Sequence, residues 1–499
     1  MTGNDAVELV VSNKKLKGRV PTVPQGGDGY RSPLVARNAS PEMSALFSDA
    51  HRVRTWRRVW IALAEAQRRL GLKIPARAIR QMRATADTID WAAAARYEKT
   101  MRHDLMAHVH IFGEAAPAAR GIIHLGATSA DIADNADLII LRDALIRVRH
   151  WLVNVIDALA RFARRHQNLP AVGFTHFQPA QLTTVGKRAC LWCYDFVRDY
   201  QEVEQVLGGL RFRGIKGATG TQASFLALFD DDPAKVARLE RMVAAAFGFQ
   251  RIEPVTGQTY SRKVDARIVA ALAGIATSVH KLANDVRLLA NLKEMEEPFE
   301  AHQVGSSSMA YKRNPMRCER ATGLARLVIS LTQSAFQTAA EQWLERTLDD
   351  SSNRRVVLPE AFLATDGMLR LVANVARGLI VYPRPIAARI ASEMAFMSTE
   401  DVLMAAVKAG ANRQRLHETI RRHSHRAARR VKIEGKPPDL IERLRSDPEL
   451  ADLDWPRILD ARRYTGLAGT QVRDFLREHV APILRRHRRV LGMPAELEV

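Results

Sequence analysis

The chain has 499 residues, of which 47% are hydrophobic and 6% aromatic, and its formal net charge is +21. This length can bury a large core and predicts about three domains. Three cysteines in so long a chain exclude a disulfide framework, and no apolar run approaches the roughly 18 residues that span a membrane. Because the first twenty residues also lack the apolar core of a secretory signal, we expect a soluble, cytoplasmic protein without a membrane partner.

The first predicted elements are short. Residues 1–29 end in a segment rich in Pro and Gly, which is typical of a mobile extension. From residue 40 to residue 115 the apolar pattern predicts short helices broken by “GLKIP” and “IDW”. We therefore predict that residues 30–128 form an N-terminal helical domain.

Long helices follow in the middle of the chain. In 138–162 and 264–289 the apolar residues recur in steps of three and four, which predicts rods of about seven turns each. Similar patterns cover 181–209, 315–343 and 354–378. Five such rods predict an all-α fold with a central bundle domain over 129–381. Their broad apolar stripes predict that helices from several subunits pack together.

The last part of the chain has shorter and more charged helices. This change follows “VYPRP” (381–385) and predicts a C-terminal helical domain over 382–499. The densest basic segment, 413–432, has eight basic residues and one acidic residue, with no aromatic side chain to stack on a base. Its arginines are not expected to share one helical stripe, so we predict a solvated surface and no main role in nucleic-acid binding.

Three histidines lie close together in “MRHDLMAHVH”, at His103, His108 and His110. Their spacing is not that of a zinc-binding helix and no Glu accompanies them, which argues against a metal site. Two interpretations stay open. The histidines are either structural, or Arg102, His103 and Asp104 face a substrate and the carboxylate orients the imidazole.

Three further motifs have both an ordinary and a functional interpretation. Cys190 and Cys193 lie within an amphipathic helical pattern and are expected to be core cysteines rather than a redox pair. The glycine-rich segment 213–225 predicts that the backbone closely approaches either a ligand or another helix. Thr128 and Ser129 precede a long helix, where they either cap it or hold a carboxylate with its free N–H groups.

Two loops carry the remaining chemistry. His176 lies in a non-helical stretch just before Pro179, where a histidine can donate a proton to a leaving group. In “VGSSSMAYKRNPMRCER” (304–320), three serines follow Gly305, and fixed positive charge follows the serines. Neither an acid nor a histidine lies within 305–315, so nothing nearby in the sequence activates a serine in the usual way.

In order and spacing these stretches resemble the fumarase/aspartase superfamily of lyases, whose signature loop reads Gly-Ser-Ser-x-Met-x-x-Lys-x-Asn-Pro. Within it the chain is most similar to the adenylosuccinate lyase family, in particular its animal-type members, over nine separated blocks from residue 30 to the C-terminus. Examples are “RHDLMAHVH”, “GIIHLGATS”, “FTHFQPAQLTTVGKR” and “QWLERTLDDSSNRR”. Tyr311 and Arg313 also favour this family over fumarases, aspartases and argininosuccinate lyases.

The resemblance implies a fold and a reaction. The fold is an all-α chain in three parts, packed as a homotetramer in which three subunits contribute to each active site. The reaction is a β-elimination without metal or cofactor that releases fumarate from adenylosuccinate, or from succinyl-aminoimidazole-carboxamide ribotide, in purine nucleotide biosynthesis. The alternatives are a sister lyase acting on another succinyl-amine compound such as argininosuccinate, a binding protein on a lyase scaffold, and an RNA-binding helical protein.

The resemblance also implies catalytic roles for particular residues. Ser306 matches the base that takes the proton, and Lys312 supplies fixed positive charge for the dianionic intermediate. Asn314 and the free N–H groups of the helix that starts there add to this field, which lowers the cost of a serine alkoxide. His176 matches the acid that protonates the leaving amine, and His103 matches a second histidine that binds or orients the substrate.

The implied substrate contacts fall into three groups. Positions around the succinyl part are Thr128, Ser129, Gln258, Lys312 and Asn314. Positions for the nucleotide and its phosphate are Arg37, Arg320, Arg346, Ser351 and Arg355. Further substrate-binding positions are Asn38, Arg102, Asp104 and Thr175. The chain departs from the family at Asn38, where animal enzymes have a tyrosine, and at Ala310, which replaces a proline in a loop that Gly305 is expected to let close.

Overall fold

A computed structural model describes residues 30–495 and 497. The predicted mobile extension, residues 1–29, lies outside the described residues. Within the described part the fold is all-α, as predicted: helices α1–α19 carry the structure, and the strands β1–β4 form only two small two-stranded sheets.

Short helices form the first part of the described chain. α2 is the longest of them, and its apolar face buries Trp56 and Trp60 while Ser48 caps its first turn. α5 begins directly after His103, which is its N-cap residue. The bounds are Pro41–Leu46 (α1), Asp49–Arg69 (α2), Ala76–Ala84 (α3), Trp91–Met101 (α4) and Asp104–Ala115 (α5).

All five predicted long helices are confirmed. The longest, α6, has 37 residues and is about 55 Å long at 1.5 Å per residue. α6 packs on α7 and α12, and α10 packs on α11, so that the apolar stripes meet in one continuous core. The bounds are Ser129–Arg165 (α6), Val185–Gly209 (α7), Lys263–Asn291 (α10), Met316–Ala340 (α11) and Asp349–Gly378 (α12).

The connections between long helices contain the remaining elements of the middle part. β1 and β2 form an antiparallel hairpin in which Thr175 pairs with Gln178, so His176 and Phe177 make its two-residue turn. Because β2 extends to Thr184, the helix predicted from residue 181 begins only at Val185. The bounds are Pro170–Thr175 (β1), Gln178–Thr184 (β2), Ala223–Leu228 (α8), Pro233–Ala246 (α9), Met295–Glu296 (β3) and Ile380–Val381 (β4).

The last seven helices divide between two cores. Ile386 and Val472 pack into the main core, whereas Leu416, Leu440 and Trp455 belong to a separate, smaller core. The predicted domain boundaries after 128 and 381 stay predictions. The bounds are Pro383–Met397 (α13), Thr399–Lys408 (α14), Arg413–Glu434 (α15), Leu440–Arg445 (α16), Trp455–Ile458 (α17), Ala468–Phe475 (α18) and Ala481–Arg486 (α19).

Two features of individual helices modify the expectations from sequence. α10 is the one described helix that is long and apolar enough to cross a membrane by length and composition, and most of its apolar window is buried in the bundle. The seven arginines of 413–432 do not all share one stripe, as predicted, but some of them do. Arg422, Arg426 and Arg429 all lie on its exposed face, because their i, i+4 and i+7 spacing keeps them on one side of a helix.

Candidate active site

A cleft of 770 Å³ opens between α2, the start of α5, the start of α6 and the start of α12. Helix starts meet here because α5, α6 and α12 all begin at the same end of the molecule. The cleft is lined by eight of the residues predicted to form the site: His103, Asp104, Thr128, Ser129, Gln258, Arg346, Ser351 and Arg355.

His103 is held at the mouth of the cleft by the helix that it caps. Its ring Nδ1 accepts a hydrogen bond from the backbone N–H of Met106 (3.4 Å), and its Nε2 lies 3.3 Å from the hydroxyl of Ser129. Since Nδ1 acts as an acceptor, a neutral ring carries its proton on Nε2. The ring is therefore fixed with its Nε2 edge towards the start of α6.

Asp104 lies beside this ring and is bound by an arginine from α12. Its Oδ1 is 3.7 Å from His103 Nδ1, and its Oδ2 accepts a hydrogen bond of 2.6 Å from Arg355. Burial acts to raise the pKa of Asp104, but the Arg355 hydrogen bond and the N–H of Leu105 lower it below its ordinary value. The carboxylate therefore stays ionised and orients the Arg355 guanidinium.

Thr128 and Ser129 serve as a helix start and as part of the cleft wall at once. The N–H of Thr128 donates to Asp131 (2.8 Å), which closes the first turn of α6. Asp131 is fully buried, pairs with Arg213, and accepts N–H groups of the glycine-rich segment 213–225. Thr128 therefore caps α6, as one interpretation of this stretch predicted. The glycine-rich backbone closely approaches a helix, which was one of its two interpretations.

A network of buried ion pairs lines part of the cleft, and the sequence did not reveal it. Arg262 pairs with Asp134 (3.1 Å) and Asp350 (2.7 Å), and Arg354 pairs with Asp265 (2.6 Å). Burial opposes the charge of Arg262, yet the pKa of its guanidinium is raised because Asp134 lies against it. These arginines are neutralised by carboxylates, so they fix the helix starts in place rather than offer charge to a ligand.

Arg346 differs from Arg262 and Arg354 because its hydrogen-bond partner in the cleft is a neutral side-chain amide. Its Nη1 donates to Gln258 Oε1 (3.1 Å), and the Gln258 amide in turn donates to the carbonyl of Ala218 (3.0 Å). The α2 wall adds a second guanidinium that the sequence did not indicate. Arg52 lies 5.5 Å above the ring of Trp56 and pairs with Asp49 (2.8 Å). Because Asp49 balances the charge of Arg52, Arg346 is the guanidinium that gives the cleft positive charge for an anionic ligand.

The hairpin turn holds two predicted site residues away from this cleft. Thr175 and His176 are exposed, and neither of them lines it. His176 and Phe177 have φ angles of 53° and 57°, in the left-handed region that side chains other than glycine rarely adopt. The turn therefore exposes His176 to solvent. Its positive φ angles are those that a two-residue hairpin turn of this kind requires at both positions.

The signature loop also lies outside the cleft. Ser306 Oγ accepts the N–H of Met309 (3.1 Å), and Asn314 donates to the carbonyl of Gly305 (2.7 Å), so the loop is closed on itself. A Cβ at residue 305 would come within 2.0 Å of the carbonyl oxygen of Lys312. Glycine is therefore required at 305 by this close approach, in addition to any role in closing the loop.

The expectation of free N–H groups at the start of α11 is wrong. The N–H groups of Arg317 and Cys318 donate to the two oxygens of Glu297, at 2.9 Å each. Glu297 is buried, and it satisfies donors that the sequence left without a partner. The positive charge at this loop therefore comes from Lys312 and Arg313, both of which are exposed.

The remaining predicted contacts form a separate group. Arg320 donates to the side-chain oxygen of Asn38 (2.9 Å) and to the carbonyl of Arg37. Burial, together with the charges of Arg37 and Arg370, lowers the pKa of Arg320. Arg102 is exposed at the end of α4 and does not line the cleft. One chain thus brings eight predicted residues together and leaves Arg37, Asn38, Arg102, Thr175, His176, Ser306, Lys312, Asn314 and Arg320 outside.

The ordinary interpretations of the two cysteines and of His108 are confirmed. Cys190 and Cys193 are free and buried, and burial raises the pKa of the Cys190 thiol to about 12. His108 packs edge-on against Trp56, and burial lowers its pKa to about 4, while His110 stacks on Tyr97. Among residues 30–495 and 497, no group of three or more side chains is arranged to hold a metal ion.

Known proteins match the chain along most of its length. A family profile described as “Lyase” matches residues 37–330, and one described as “Adenylosuccinate lyase C-terminus” matches residues 395–475. The adenylosuccinate lyase of Schizosaccharomyces pombe is 51% identical over 460 residues, which cover 91% of this chain and 95% of the relative. That of Schistosoma mansoni is 46% identical over 474 residues, which cover 94% and 99%.

A solved structure shares the fold. The crystal structure of a fumarate lyase from Mesorhizobium sp. BNC1 superposes with a TM-score of 0.76 at 27% identity, over 88% of this chain and 98% of that one.

Proposed function

The chain belongs to the adenylosuccinate lyase family, and from this membership we propose that it cleaves adenylosuccinate to AMP and fumarate. The same chemistry applies to succinyl-aminoimidazole-carboxamide ribotide, which carries the same succinyl-amine group. The observation that supports this most directly is the cleft in which His103, the start of α6 and the arginines Arg346 and Arg355 meet. The identities to adenylosuccinate lyases favour this substrate class over argininosuccinate.

The reaction explains why the cleft needs cations that a substrate can reach. β-Elimination removes a weakly acidic proton next to a carboxylate and leaves a dianionic intermediate, so the barrier falls mainly through stabilisation of developing negative charge. Arg346 and Arg355 bind the anionic nucleotide, since a guanidinium engages phosphate with two N–H groups. Ser129 and Thr128 lie at the N-terminus of α6, which favours a carboxylate of the succinyl part.

His103 binds and orients the substrate in this proposal. Its ring is fixed by Met106 and Ser129, and Asp104 lies 3.7 Å from its Nδ1. A histidine held in this way can donate a hydrogen bond to a substrate oxygen in the cleft without having to reorganise.

Ser306 acts as the base, and the charge that activates it comes from side chains. Because Glu297 occupies the N–H groups of Arg317 and Cys318, the helix start contributes less than the sequence suggested. Lys312 and Arg313 supply the fixed positive charge that lowers the cost of an alkoxide at Ser306.

His176 donates the proton to the leaving amine, and it does so in the cleft of another subunit. Within one chain, neither His176 nor Ser306 lines the cleft that contains His103, so the proposed site is complete only in an assembly. Exposed apolar side chains on α11, namely Leu327 and Phe336, support the association of long helices as a homotetramer.

A cytoplasmic location completes the proposal. It is supported by the three cysteines of the chain, all of which are free and buried. The proposed reaction requires no resident metal or cofactor, because charge stabilisation comes from the arginines, Lys312 and the helix start.

The decisive experiment is a direct assay of the purified protein. With adenylosuccinate we expect AMP and fumarate to appear in equal amounts, at a rate that a chelator does not change. Argininosuccinate serves as the matched control and should release no fumarate. Release of fumarate from argininosuccinate alone would overturn the proposed substrate, and no release from either compound would overturn the lyase activity.

A further inference from the structure

The outward face of α15 carries a continuous line of positive side chains. Arg422, His425, Arg426, Arg429 and Lys432 are all exposed and follow one another in steps of one and three residues. On a helix this spacing keeps them on one side, along about 15 Å of its length at 1.5 Å per residue. We call these five residues the basic face.

The acidic residues of this region pair with basic residues other than these five. Arg430 pairs with Asp439 (3.4 Å), His423 approaches Asp447 (3.3 Å), and Arg415 pairs with Glu449. Of the two acids of the helix, Glu418 accepts from Nε and Nη2 of Arg421 at 2.7 Å each, and Glu434 pairs with Lys436 (3.2 Å). Among the described residues, none of the basic face takes part in an ion pair.

The fold itself does not require these charges. The packing of α15 relies on Leu416, Ile420 and Ala427, which are buried in the smaller core on the opposite side. Like charges three and four residues apart destabilise a helix. Arg422 donates a hydrogen bond of 3.4 Å to the hydroxyl of Thr419. A line of cations that weakens its own helix and forms no ion pair within the described residues is best explained by an external polyanion.

We propose that the basic face binds the phosphate backbone of a nucleic-acid duplex. Arginine predominates in it, and the arginine fork engages phosphate oxygens with two parallel hydrogen bonds. The segment 413–432 has no aromatic residue, so the bases of a single strand would find no side chain to stack on. Because the apolar side of α15 is already buried, the helix cannot insert into a lipid bilayer as an amphipathic membrane helix does.

The test is fluorescence anisotropy of the full-length protein with a labelled 20-base-pair duplex at increasing salt. Four neutralised phosphates predict that the logarithm of the association constant falls by roughly 3.6 per tenfold increase in salt. Arg426→Gln/Arg429→Gln should lower this slope by about 2 and weaken binding at low salt at least tenfold. The control Arg77→Gln/Arg80→Gln removes the same charge with the same spacing from exposed positions of α3 and should bind as the unchanged protein does.

Each outcome bears on the proposal. Equal loss of binding in both double variants would show adhesion by net charge alone and would overturn it. So would an absence of binding at 50 mM salt, or equal affinity for polyglutamate or for vesicles of anionic phospholipid. Since the basic face lies apart from the cleft, both variants should retain the activity of the unchanged protein towards adenylosuccinate, which also reports that they are folded.

Discussion

Arg355, in the first turns of α12, donates a hydrogen bond of 2.6 Å to Asp104, the first residue of α5. The pair joins two helices whose sequence positions are 251 residues apart and places a cation beside His103 at the edge of the cleft. A nucleotide phosphate can compete with Asp104 for this guanidinium, so the pair links substrate binding to the geometry of the histidine.

We expect Arg355→Ala to weaken substrate binding rather than slow the chemical step. Loss of one phosphate contact corresponds to about 2 kcal/mol, or roughly a thirtyfold rise in KM, with little change in kcat. Steady-state kinetics with adenylosuccinate measure both values, and Arg413→Ala, which removes an exposed arginine of the C-terminal part, is the control. A collapse of kcat at constant KM would assign Arg355 to the transition state instead.

The lowered pKa of Asp104 predicts a pH-dependent stability difference. Because the folded carboxyl has a pKa below its ordinary value of 3.8, its ionised form stabilises the fold at neutral pH, and this contribution is lost as pH falls through the folded pKa. The unfolding free energy of Asp104→Asn should therefore differ most from that of the unchanged protein at pH 7. The difference should persist down to about pH 4 and shrink as pH falls below 3.8 through the folded pKa. A difference that stays constant through that lower range would contradict the assignment.

Asp131 is predicted to contribute far more to the unfolding free energy than an exposed ion pair does. It is fully buried and accepts from Arg213 and from the backbone at Thr128, so Asp131→Ala leaves a buried guanidinium unpaired. The expected loss is about 3–5 kcal/mol of unfolding free energy. Arg161→Ala breaks an exposed pair on the same helix, and it should cost less than about 1 kcal/mol. Denaturant titration compares the two variants.

The proposed sharing of the active site predicts rescue between two inactive proteins. His176→Ala and Ser306→Ala should each lack turnover, because one lacks the acid and the other lacks the base. When their subunits are exchanged, some sites receive both intact residues, and activity should rise to a sizeable fraction of normal. Hybrids that form, as shown by mass spectrometry, and yet stay inactive would mean that a single chain supplies both residues.

A tight backbone approach gives a prediction for the glycine-rich segment. Gly220 has a φ of 84°, and a Cβ there would lie 1.9 Å from the carbonyl oxygen of Thr256. Gly220→Ala should therefore lower the unfolding free energy of the protein by about 1–3 kcal/mol. Gly121→Ala is the control, because nothing lies within 4 Å of its Cβ position and its φ is not positive. A drop in Tm of similar size in both variants would contradict the argument.

The long helices could be predicted from sequence because their apolar steps repeat over many turns. The hairpin could not, since β1 and β2 are short, contain Pro170 and Pro179, and bury side chains without strict alternation. The helical pattern of 181–209 consequently extended four residues too far. Only the pairing of Thr175 with Gln178 places the turn at His176.

The site was predictable where a motif identifies it and unpredictable where distant charges meet. His103, Thr128 and Arg346 occur in stretches that resemble the family, and they do line the cleft. Arg262 and Asp134 pair although 128 residues separate them, and in the sequence each resembles an ordinary solvated charge. The same limit applies to Glu297, whose capture of the α11 N–H groups depends on a tertiary contact.

The contacts within the signature loop determine how it can move. Gly305 and Asn314 are joined at its two ends, and Ser306 and Lys312 are each hydrogen-bonded to Met309 between them. Ordering a free backbone costs about 1–2 kcal/mol of conformational entropy per residue. Because these ten residues are already ordered, we expect any closure of the loop to occur as the swing of a rigid flap, with its entropic cost confined to the few hinge residues that flank it.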